Sequence, residues 1–370
     1  MSSPERIDQV VHILADKDAI GSHVVHTREA LREAGYASDI YAGDAHPEVR
    51  HLAKSIEELP SQPRRGSWLL VHHSIGAAVA DVVARRAEPR LLDYHNVTPP
   101  SLVARWAPWV REELELGIEQ LHELAPGSFF GVAHSRFSER DLREAGCPVT
   151  TVLPPLVDLK EFETAADRAV MSAMAAESAE GGADWLFVGR ISPHKAQHDL
   201  IKAFACYRRF FDPLARLHLV GSSLGEDYPR ALARFAARLG LQDAVRMAGV
   251  IDAPSLAAYY ASADVFVCVS DHEGFCVPLV EAMHLGVPVV AYDSSAVGET
   301  VGVGGIVLRE KAPMAVATAV HRVVSDAALR ERLVVAGRRR GRSFSLENGH
   351  RRWAEIVDMA REAAALRGVA

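Results

Sequence analysis

Two glutamates lie close together in the segment 267–299, which reads VCVSDHEGFCVPLVEAMHLGVPVVAYDSSAVGE. Glu273 follows an apolar strand, and Glu281 lies in the next helix with seven residues between the two. Pro278 suits the first turn of that helix, where its missing N–H costs nothing. The free N–H groups of the turn bind anions, and carboxylates accept hydrogen bonds from sugar hydroxyls. The segment predicts a sugar-phosphate site; the alternative is that both acids are ordinary first-turn and loop acids.

Two cations follow a second apolar strand, in the segment 185–204, WLFVGRISPHKAQHDLIKAF. The strand stops at Gly189, where the lack of a Cβ lets a ligand approach the backbone. Arg190 and Lys195 follow in a short loop that enters the next helix. Fixed positive charges there would stabilise a diphosphate leaving group as negative charge develops on it. The alternative is that both are ordinary surface cations.

Together the two segments resemble the retaining glycosyltransferases of family 4, which share the GT-B fold of two Rossmann-like domains. The resemblance rests on GRISPHK and, about eighty residues later, HEGFCVPLVEAMHLGVPVVA; it spans essentially the whole chain. It implies a nucleotide-sugar donor held mainly by the C-terminal domain and an acceptor held mainly by the N-terminal one. It also implies hexosyl transfer with retention of configuration, with no essential metal or other cofactor. We expect the nucleotide of the donor to be UDP or GDP.

The resemblance also implies residue roles. Arg190 and Lys195 would bind the diphosphate, Glu273 the donor sugar and Glu281 the ribose, and Ile251 would lie near the base. The first three are therefore expected to take part in catalysis. The backbone along sugar and phosphate would be that of Gly274, Phe275, Cys276 and Val277. Cys276 stands where many relatives have glycine.

The N-terminal half carries a weaker set of candidate residues. Gly21 and Ser22 follow the first strand and precede a helix, where the family has a glycine-rich turn that faces the diphosphate. His95, in DYHNVTPP, matches a catalytic histidine that lies beside the transferring sugar; the alternative is a histidine satisfied at a strand end. His72 and His73 close another strand, and they would either line an acceptor pocket or be structural.

Short β-rich runs alternate with helical stretches, which predicts an α/β fold of two doubly wound Rossmann-like domains facing a cleft. The N-terminal acceptor-binding domain is expected over 1–165 and the C-terminal nucleotide-sugar-binding domain over 183–345, with a hinge near 165–183. A last helix within 346–370 would pack on its own domain or return to the N-terminal one. The predicted strands are Gln9–Leu14, Ser38–Tyr41, Trp68–Val71, Arg90–Tyr94, Phe129–Ala133, Thr150–Leu153, Trp185–Val188, Arg216–Val220, Val245–Ala248, Val265–Val269, Val289–Ala291 and Gly305–Val307.

Composition limits the partners. The chain of 370 residues is 49% hydrophobic and 24% charged, as in ordinary globular proteins. Its 41 Lys plus Arg against 48 Asp plus Glu give a net charge of −7, which argues against nucleic acid as a partner. Residues 1–160 hold 17 basic and 23 acidic residues, so 17 − 23 = −6 and membrane association is expected to be weak or absent.

Cysteine usage and the chain's start predict a compartment. The four cysteines include no CxxC pair, which indicates a reducing cytoplasm with free thiols. The polar N-terminus predicts no signal peptide, and no run reaches the ~18–20 apolar residues of a membrane span. Asp16-Lys17-Asp18 matches a metal-binding D-x-D element, but it follows the first strand of a Rossmann-like unit, where that element is out of context. Metal binding is therefore not expected there.

The sequence thus predicts a cytoplasmic, metal-independent, retaining hexosyltransferase with a soluble small-molecule or saccharide acceptor. A homodimer is possible. Three alternatives remain open: a sugar phosphorylase, a nucleotide-sugar epimerase on the same fold, or a non-catalytic nucleotide-sugar-binding protein.

Overall fold

The computed structural model describes residues 5–16, 18–160 and 166–368. They form two compact units. The first takes in the chain up to Pro100, Trp109–Val157 and the chain from Phe344 onward, and the second takes in Ser101–Pro108 and Asp158–Ser343. Lys17 of the Asp16-Lys17-Asp18 element lies outside the described residues, and so does position 165, where the predicted hinge begins.

The first unit contains a seven-stranded parallel sheet in the order β3-β2-β1-β4-β5-β6-β7. All seven residues of β4 are buried, as in a sheet covered on both faces. The strands are β1 Arg6–Leu14, β2 Ile40–Ala45, β3 Lys54–Ser55, β4 Ser67–His73, β5 Arg90–Tyr94, β6 Phe130–Ala133 and β7 Thr150–Val152. The helices are α1 Ala19–Glu33, α2 Ala78–Ala84, α3 Arg111–Gly127 and α4 Arg136–Glu144.

The second unit contains a six-stranded parallel sheet in the order β10-β9-β8-β11-β12-β13. Its strands are β8 Asp184–Val188, β9 Arg216–Val220, β10 Val245–Gly249, β11 Val265–Cys268, β12 Val289–Tyr292 and β13 Ile306–Leu308. Its helices are α5 Arg168–Ser178, α6 Gln197–Phe210, α7 Asp227–Arg238, α8 Ala253–Ser262, α9 Val277–Leu285, α10 Val297–Val301, α11 Pro313–Ser325 and α12 Ala327–Arg342. The strand order reverses between β8 and β11, and doubly wound sheets bind ligands at the carboxyl ends of strands at such a switch point.

The last helix, α13 Leu346–Arg367, packs against α1 in the first unit. Trp353, Ile356 and Val357 are buried there in one core with Ile7 and Leu31 of the β1–α1 segment. Burying a tryptophan and two aliphatic side chains contributes several kcal/mol. The helix predicted over Leu346–Leu366 is therefore part of the first unit.

The predicted α/β class with two Rossmann-like domains is confirmed. The predicted strands overlap observed ones, but β2 begins at Ile40 and runs to Ala45 rather than over Ser38–Tyr41, and the short edge strand β3 was not predicted. The chain passes to the second unit after Val157. The region predicted as a hinge holds α5, which packs against α8 inside the second unit. Asp167, the N-cap residue of α5, donates its backbone N–H to the carbonyl of Pro254.

The predicted turn at Gly21 and Ser22 is wrong, because both residues lie inside α1. Asp18 caps this helix: its carboxylate accepts hydrogen bonds from the N–H groups of Ile20 and Gly21. A Cβ at Gly21 would lie 2.2 Å from the carbonyl oxygen of Ala15. The glycine is therefore needed for close packing of the helix start, not for a turn.

No helix among the described residues is both long and apolar enough to span a membrane.

Gly221, just after β9, has φ +138°, and a Cβ there would lie 2.2 Å from the carbonyl oxygen of Gly189. We expect Gly221→Ala to lower the stability of the second unit by more than backbone strain alone, which is ~1–3 kcal/mol. Gly240→Ala is the matched control, since Gly240 has φ +71° but open space around it. Thermal or urea denaturation measures both. Equal losses in the two variants would contradict the expected clash at Gly221.

Candidate functional site

The loop after β8 carries the first candidate residues and ends in a single 3-10 turn, Pro193–Lys195. Gly189 leaves the strand with φ +146°, and Ala196 begins α6 in a left-handed conformation. Gln197 is fully buried, and its side-chain amide donates to the carbonyl of Arg190 at 3.0 Å. The loop is thereby fixed from within the protein, and Lys195 projects from its last turn.

Lys195 and Glu273 form an ion pair across the switch point, with Nζ 2.5 Å from Oε2. Glu273 is 5% exposed, so it is not a solvated loop acid. Its Oε1 accepts from the hydroxyl of Ser270 at 2.8 Å, and its backbone N–H donates to Ser295 Oγ at 2.7 Å. Burial opposes the charged ammonium of Lys195, but the carboxylate of Glu273 outweighs it and the pKa of Lys195 is raised.

Helix α9 begins directly beyond this pair. Its N-cap residue, Cys276, has φ +77° and ψ +76°, and its side chain makes no capping hydrogen bond. Pro278 lies in the first turn, as predicted. A left-handed N-cap is a conformation that glycine adopts without strain. The backbone therefore has a glycine-like shape at Cys276, where the resemblance led us to expect glycine in many relatives.

Glu281 lies inside α9 rather than on a solvated first turn. It is 7% exposed, and its Oε2 accepts a hydrogen bond from the hydroxyl of Tyr260 at 2.6 Å. Burial, reinforced by Glu281, raises the pKa of Tyr260 well above its ordinary value, so Tyr260 remains a donor. The carboxylate is therefore held in one orientation by a buried phenol on α8.

Arg190 is exposed, and its guanidinium makes no hydrogen bond or ion pair with the described part of the chain. It is thus a cation available to an external anion. Ile251 is half-buried in the segment after β10, two residues beyond the end of that strand. Gly274, Phe275 and Cys276 lie in the loop between β11 and α9, and Val277 is the first residue of α9.

Partners that the sequence did not predict complete this site. Ser270 and Ser295 position Glu273, and Tyr260 positions Glu281. Lys311 bridges Asp271, beside Glu273, to Asp199 on α6. Ser295 follows β12 in the printed stretch DSSAVGE, so its place at a strand's carboxyl end was a usable signal. Nothing in the spacing of Tyr260 or Lys311 points to their partners.

The candidates of the first unit lie apart from that loop system in the chain. His95 follows β5, its side chain is 4% exposed, and both its ring nitrogens face other imidazoles: Nε2 lies 3.0 Å from His72 and Nδ1 lies 2.9 Å from His134. His73 is buried, and its Nε2 donates to the carbonyl of Gly117 at 2.7 Å. His73 is thus structural, whereas His72 and His95 belong to one buried group.

The comparisons with known proteins agree with this architecture. Residues 174–340 match the family described as "Glycosyl transferases group 1". A D-inositol 3-phosphate glycosyltransferase of Geodermatophilus obscurus is 37% identical over 206 residues, which are 54% of this chain and 44% of that protein. The chain spans about half the length of the curated relatives it matches.

Two solved structures share the fold along nearly the whole chain. Anabaena HepE, solved in complex with UDP and glucose, has a TM-score of 0.74 at 18% identity and covers 96% of this chain and 100% of its own. Sucrose-phosphate synthase from Thermosynechococcus elongatus has a TM-score of 0.72 at 20% identity and covers 99% and 100%. The predicted GT-B type fold and the predicted resemblance to the family 4 glycosyltransferases are confirmed.

His272 precedes Glu273 and is 8% exposed; burial lowers its pKa from 6.5 to about 4. An unfolded chain takes up this proton near pH 6.5, before the folded chain does, so stability falls as the pH drops from 6.5 to about 4. We expect His272→Gln to reduce this pH-dependent loss of the free energy of unfolding by at most about 3 kcal/mol. Urea denaturation between pH 4 and 7 measures it. His51→Gln, at an exposed ring, is the control; an unchanged slope in His272→Gln would refute the assignment.

Proposed function

We propose that this chain is a glycosyltransferase that moves a hexosyl group from a UDP- or GDP-sugar to a hydroxyl of a soluble small-molecule or saccharide acceptor, with retention of configuration. The observation that carries the proposal is the Lys195–Glu273 pair beside the left-handed start of α9. A cation, an oriented carboxylate and a helix N-terminus lie together at a switch point, and these groups suit a sugar diphosphate.

The chemistry follows from these charges. The bond between the sugar and the diphosphate breaks, and negative charge accumulates on the leaving oxygen. Lys195 and Arg190 stabilise that charge together with the N–H groups of α9. The acceptor oxygen bonds to the same face of the sugar, and its proton passes to the leaving phosphate. These fixed charges serve the diphosphate in place of a divalent ion, so we propose that the donor needs no metal.

The carboxylates orient the donor. Glu273 retains lone pairs beyond its bonds to Lys195 and Ser270, and we assign it to the hydroxyls of the donor sugar. Glu281, held by Tyr260, is assigned to the ribose. Ile251 is assigned to the base. The proposal does not depend on His95, since both nitrogens of that ring already face other imidazoles.

The relatives support the choice of substrates. The Geodermatophilus relative is named for D-inositol 3-phosphate, and HepE was solved with UDP. The acidic balance of the first 160 residues favours a soluble acceptor over a lipid-bound one. The four cysteines without a CxxC pair favour a cytoplasmic location. Homodimerisation remains a prediction.

A thermal-shift screen against UDP-, GDP-, ADP- and dTDP-sugars tests donor binding, because a ligand at 100 times its Kd adds about 2.7 kcal/mol. Incubating the selected donor, labelled in the sugar, with candidate acceptors then tests transfer, and NMR of the product tests retention. A reaction that needs free phosphate would identify a phosphorylase, and conversion without acceptor would identify an epimerase. Donor binding with neither transfer nor hydrolysis would leave a binding protein.

We expect Lys195→Ala mainly to lower kcat, by ~10²–10³, the loss seen for one preorganised charge-stabilising group. Because the variant leaves Glu273 buried without its partner, the double variant Lys195→Ala/Glu273→Gln tests whether the fold survives. Lys202→Ala, at an exposed lysine of α6, is the matched control and should keep wild-type turnover. Steady-state kinetics measures all three. Wild-type turnover in folded Lys195→Ala would exclude the diphosphate role.

We expect Glu281→Ala to weaken nucleotide binding by ~10-fold or more, since a charged hydrogen-bonding partner contributes ~1.5–3 kcal/mol. At saturating donor, kcat should change less. Tyr260→Phe keeps the carboxylate but removes its donor, so it should give a smaller loss of affinity. Calorimetric titration with the nucleoside diphosphate measures both variants. Unchanged affinity in Glu281→Ala would remove this residue from the nucleotide site.

A further inference from the structure

Six polar side chains form a buried group in the first unit, and four of them lie at the carboxyl ends of β4 and β5 or directly after β5 and β6. Each of its histidine and aspartate side chains is at most 4% exposed, and the glutamine is fully buried. The group, called here the histidine cluster, consists of Gln9 (β1), His23 (α1), His72 (β4), Asp93 (β5), His95 and His134. Because the cluster has almost no access to water, each ring nitrogen must find its partner inside the protein.

The backbone fixes the protons of two rings. His134 Nδ1 lies 2.8 Å from the carbonyl oxygen of Leu153, so it carries a proton and donates it. His23 Nδ1 accepts the backbone N–H of Leu156 at 2.9 Å, so it carries none. The proton of His23 is therefore on Nε2, which donates to Asp93 Oδ2 at 2.8 Å.

These two assignments determine where the protons of the remaining rings lie. Neutral His134 has a bare Nε2, which lies 2.9 Å from His95 Nδ1, so His95 donates from Nδ1 and its Nε2 is bare. His72 Nε2 lies 2.8 Å from Gln9 Oε1 and donates to it, which leaves His72 Nδ1 bare. With neutral rings, the bonds to Leu153, Leu156 and Gln9 Oε1 are then satisfied, while Gln9 Nε2 is buried without a hydrogen-bond partner among the described residues.

Three lone pairs converge as a result. His72 Nδ1 lies 3.0 Å from His95 Nε2 and 3.2 Å from Asp93 Oδ2, and the latter two atoms are 3.9 Å apart. Acceptors at these distances repel one another unless a cation lies between them. A triangle with sides of 3.0, 3.2 and 3.9 Å has one point about 2.0 Å from every corner, and zinc–imidazole bonds are ~2.0–2.1 Å long.

We propose that the histidine cluster binds a divalent transition metal of the zinc class through His72 Nδ1, Asp93 Oδ2 and His95 Nε2. Two imidazoles and one carboxylate are a donor set that such ions prefer. His23 is not a ligand, because its Nε2 keeps its proton for Asp93. The second oxygen of Asp93, Oδ1, has no hydrogen-bond partner among the described residues and lies 3.3 Å from His134 Nε2.

The outer hydrogen bonds match a metal site. A ligating imidazole ordinarily donates its other N–H to an oxygen or other acceptor, which fixes the tautomer and the ring orientation. Gln9 does this for His72 and His134 does it for His95. The metal would join β4 to β5 and to the segment after it. This inference goes beyond the proposed function, since the donor diphosphate is assigned to cations of the second unit.

Two other groups of side chains are weaker candidates. In the second unit, Cys268, Cys276 and Glu273 bring ligand atoms within 4.8 Å, but the oxygens of Glu273 are taken by Lys195 and Ser270. On the surface of the first unit, His26, Glu29 and His350 also approach one another. That surface group supplies a control.

The test measures metal in the full-length chain, purified without chelator and without a histidine tag from zinc-supplemented cells. We expect about one zinc per chain by mass spectrometry, and at least a tenfold lower content in His72→Asn and Asp93→Asn. His350→Asn should keep the wild-type content. Circular dichroism and the nucleotide thermal shift of the second unit show whether each variant is folded.

A second measurement needs no variant. The wild-type chain is stripped with chelator and titrated with Zn²⁺, which should raise its Tm, and with Co²⁺, which should give the visible absorption of a low-coordinate nitrogen and oxygen site. No bound metal and no response to either ion would overturn the proposal. The cluster would then hold only hydrogen bonds, with the amide of Gln9 reversed so that it donates to His72. Loss of zinc in His350→Asn but not in His72→Asn would also overturn it. Donor binding is read separately, so failure here leaves the proposed function standing.

Discussion

The ion pair between Lys195 and Glu273 is the interaction on which the second unit's site depends. Each partner belongs to a loop that leaves one of the two strands at the switch point, β8 and β11. A carboxylate as buried as Glu273 would lose several kcal/mol of solvation without a cation. The pair therefore ties the two loops together, and each loop's position depends on the other's charge. Removing one partner would leave a buried charge, so the site is more sensitive to single substitutions than an exposed pair would be.

The neighbouring groups fix the orientation of the carboxylates at this site. Ser270 and Ser295 hold Glu273 from the side chain and from the backbone, and Tyr260 holds Glu281. Two acids close in sequence thus have separate donors, and neither depends on the other. Cys276, in its left-handed conformation, then turns the chain into α9. The positive end of the helix lies just past the pair, so the region is organised for an anion before any ligand arrives.

The sequence predicts the strands well because apolar β-rich runs end at clear turn residues. Arg90–Tyr94 and Arg216–Val220 have the bounds that the pattern indicates. Local capping was harder to foresee: Asp18 moves the start of α1 ahead of Gly21, and a single 3-10 turn, Pro108–Val110, directly precedes α3. The hydrogen bonds of a single carboxylate, that of Asp18, determine where α1 begins, and the spacing of apolar residues does not predict such bonds.

The candidate site of the second unit was predictable only in part, because the partners of its residues are distant in sequence. Glu273, Lys195 and Glu281 stand in recognisable segments, but their partners come from other strands and helices and depend on register. The histidine cluster shows this most clearly. His72 pairs with Asp93 in the β4–β5 ladder, and Gln9 of β1 lies next to β4. A slip of one residue in either ladder would turn these side chains to the opposite face of the sheet.

The two sheets gather polar side chains of opposite character at their strand ends. Both are doubly wound, so in both the chain brings polar side chains together at the carboxyl ends of neighbouring strands. In the second unit a lysine faces the carboxylate and a helix N-terminus opens beside them, which leaves a field that attracts anions. In the first unit the backbone carbonyl of Leu153 and the N–H of Leu156 set the tautomers of His134 and His23, and lone pairs are left pointing inward. The same topology thus supports the anion site we propose where donors converge and the cation site we propose where acceptors converge, and a few hydrogen bonds outside each centre decide between them.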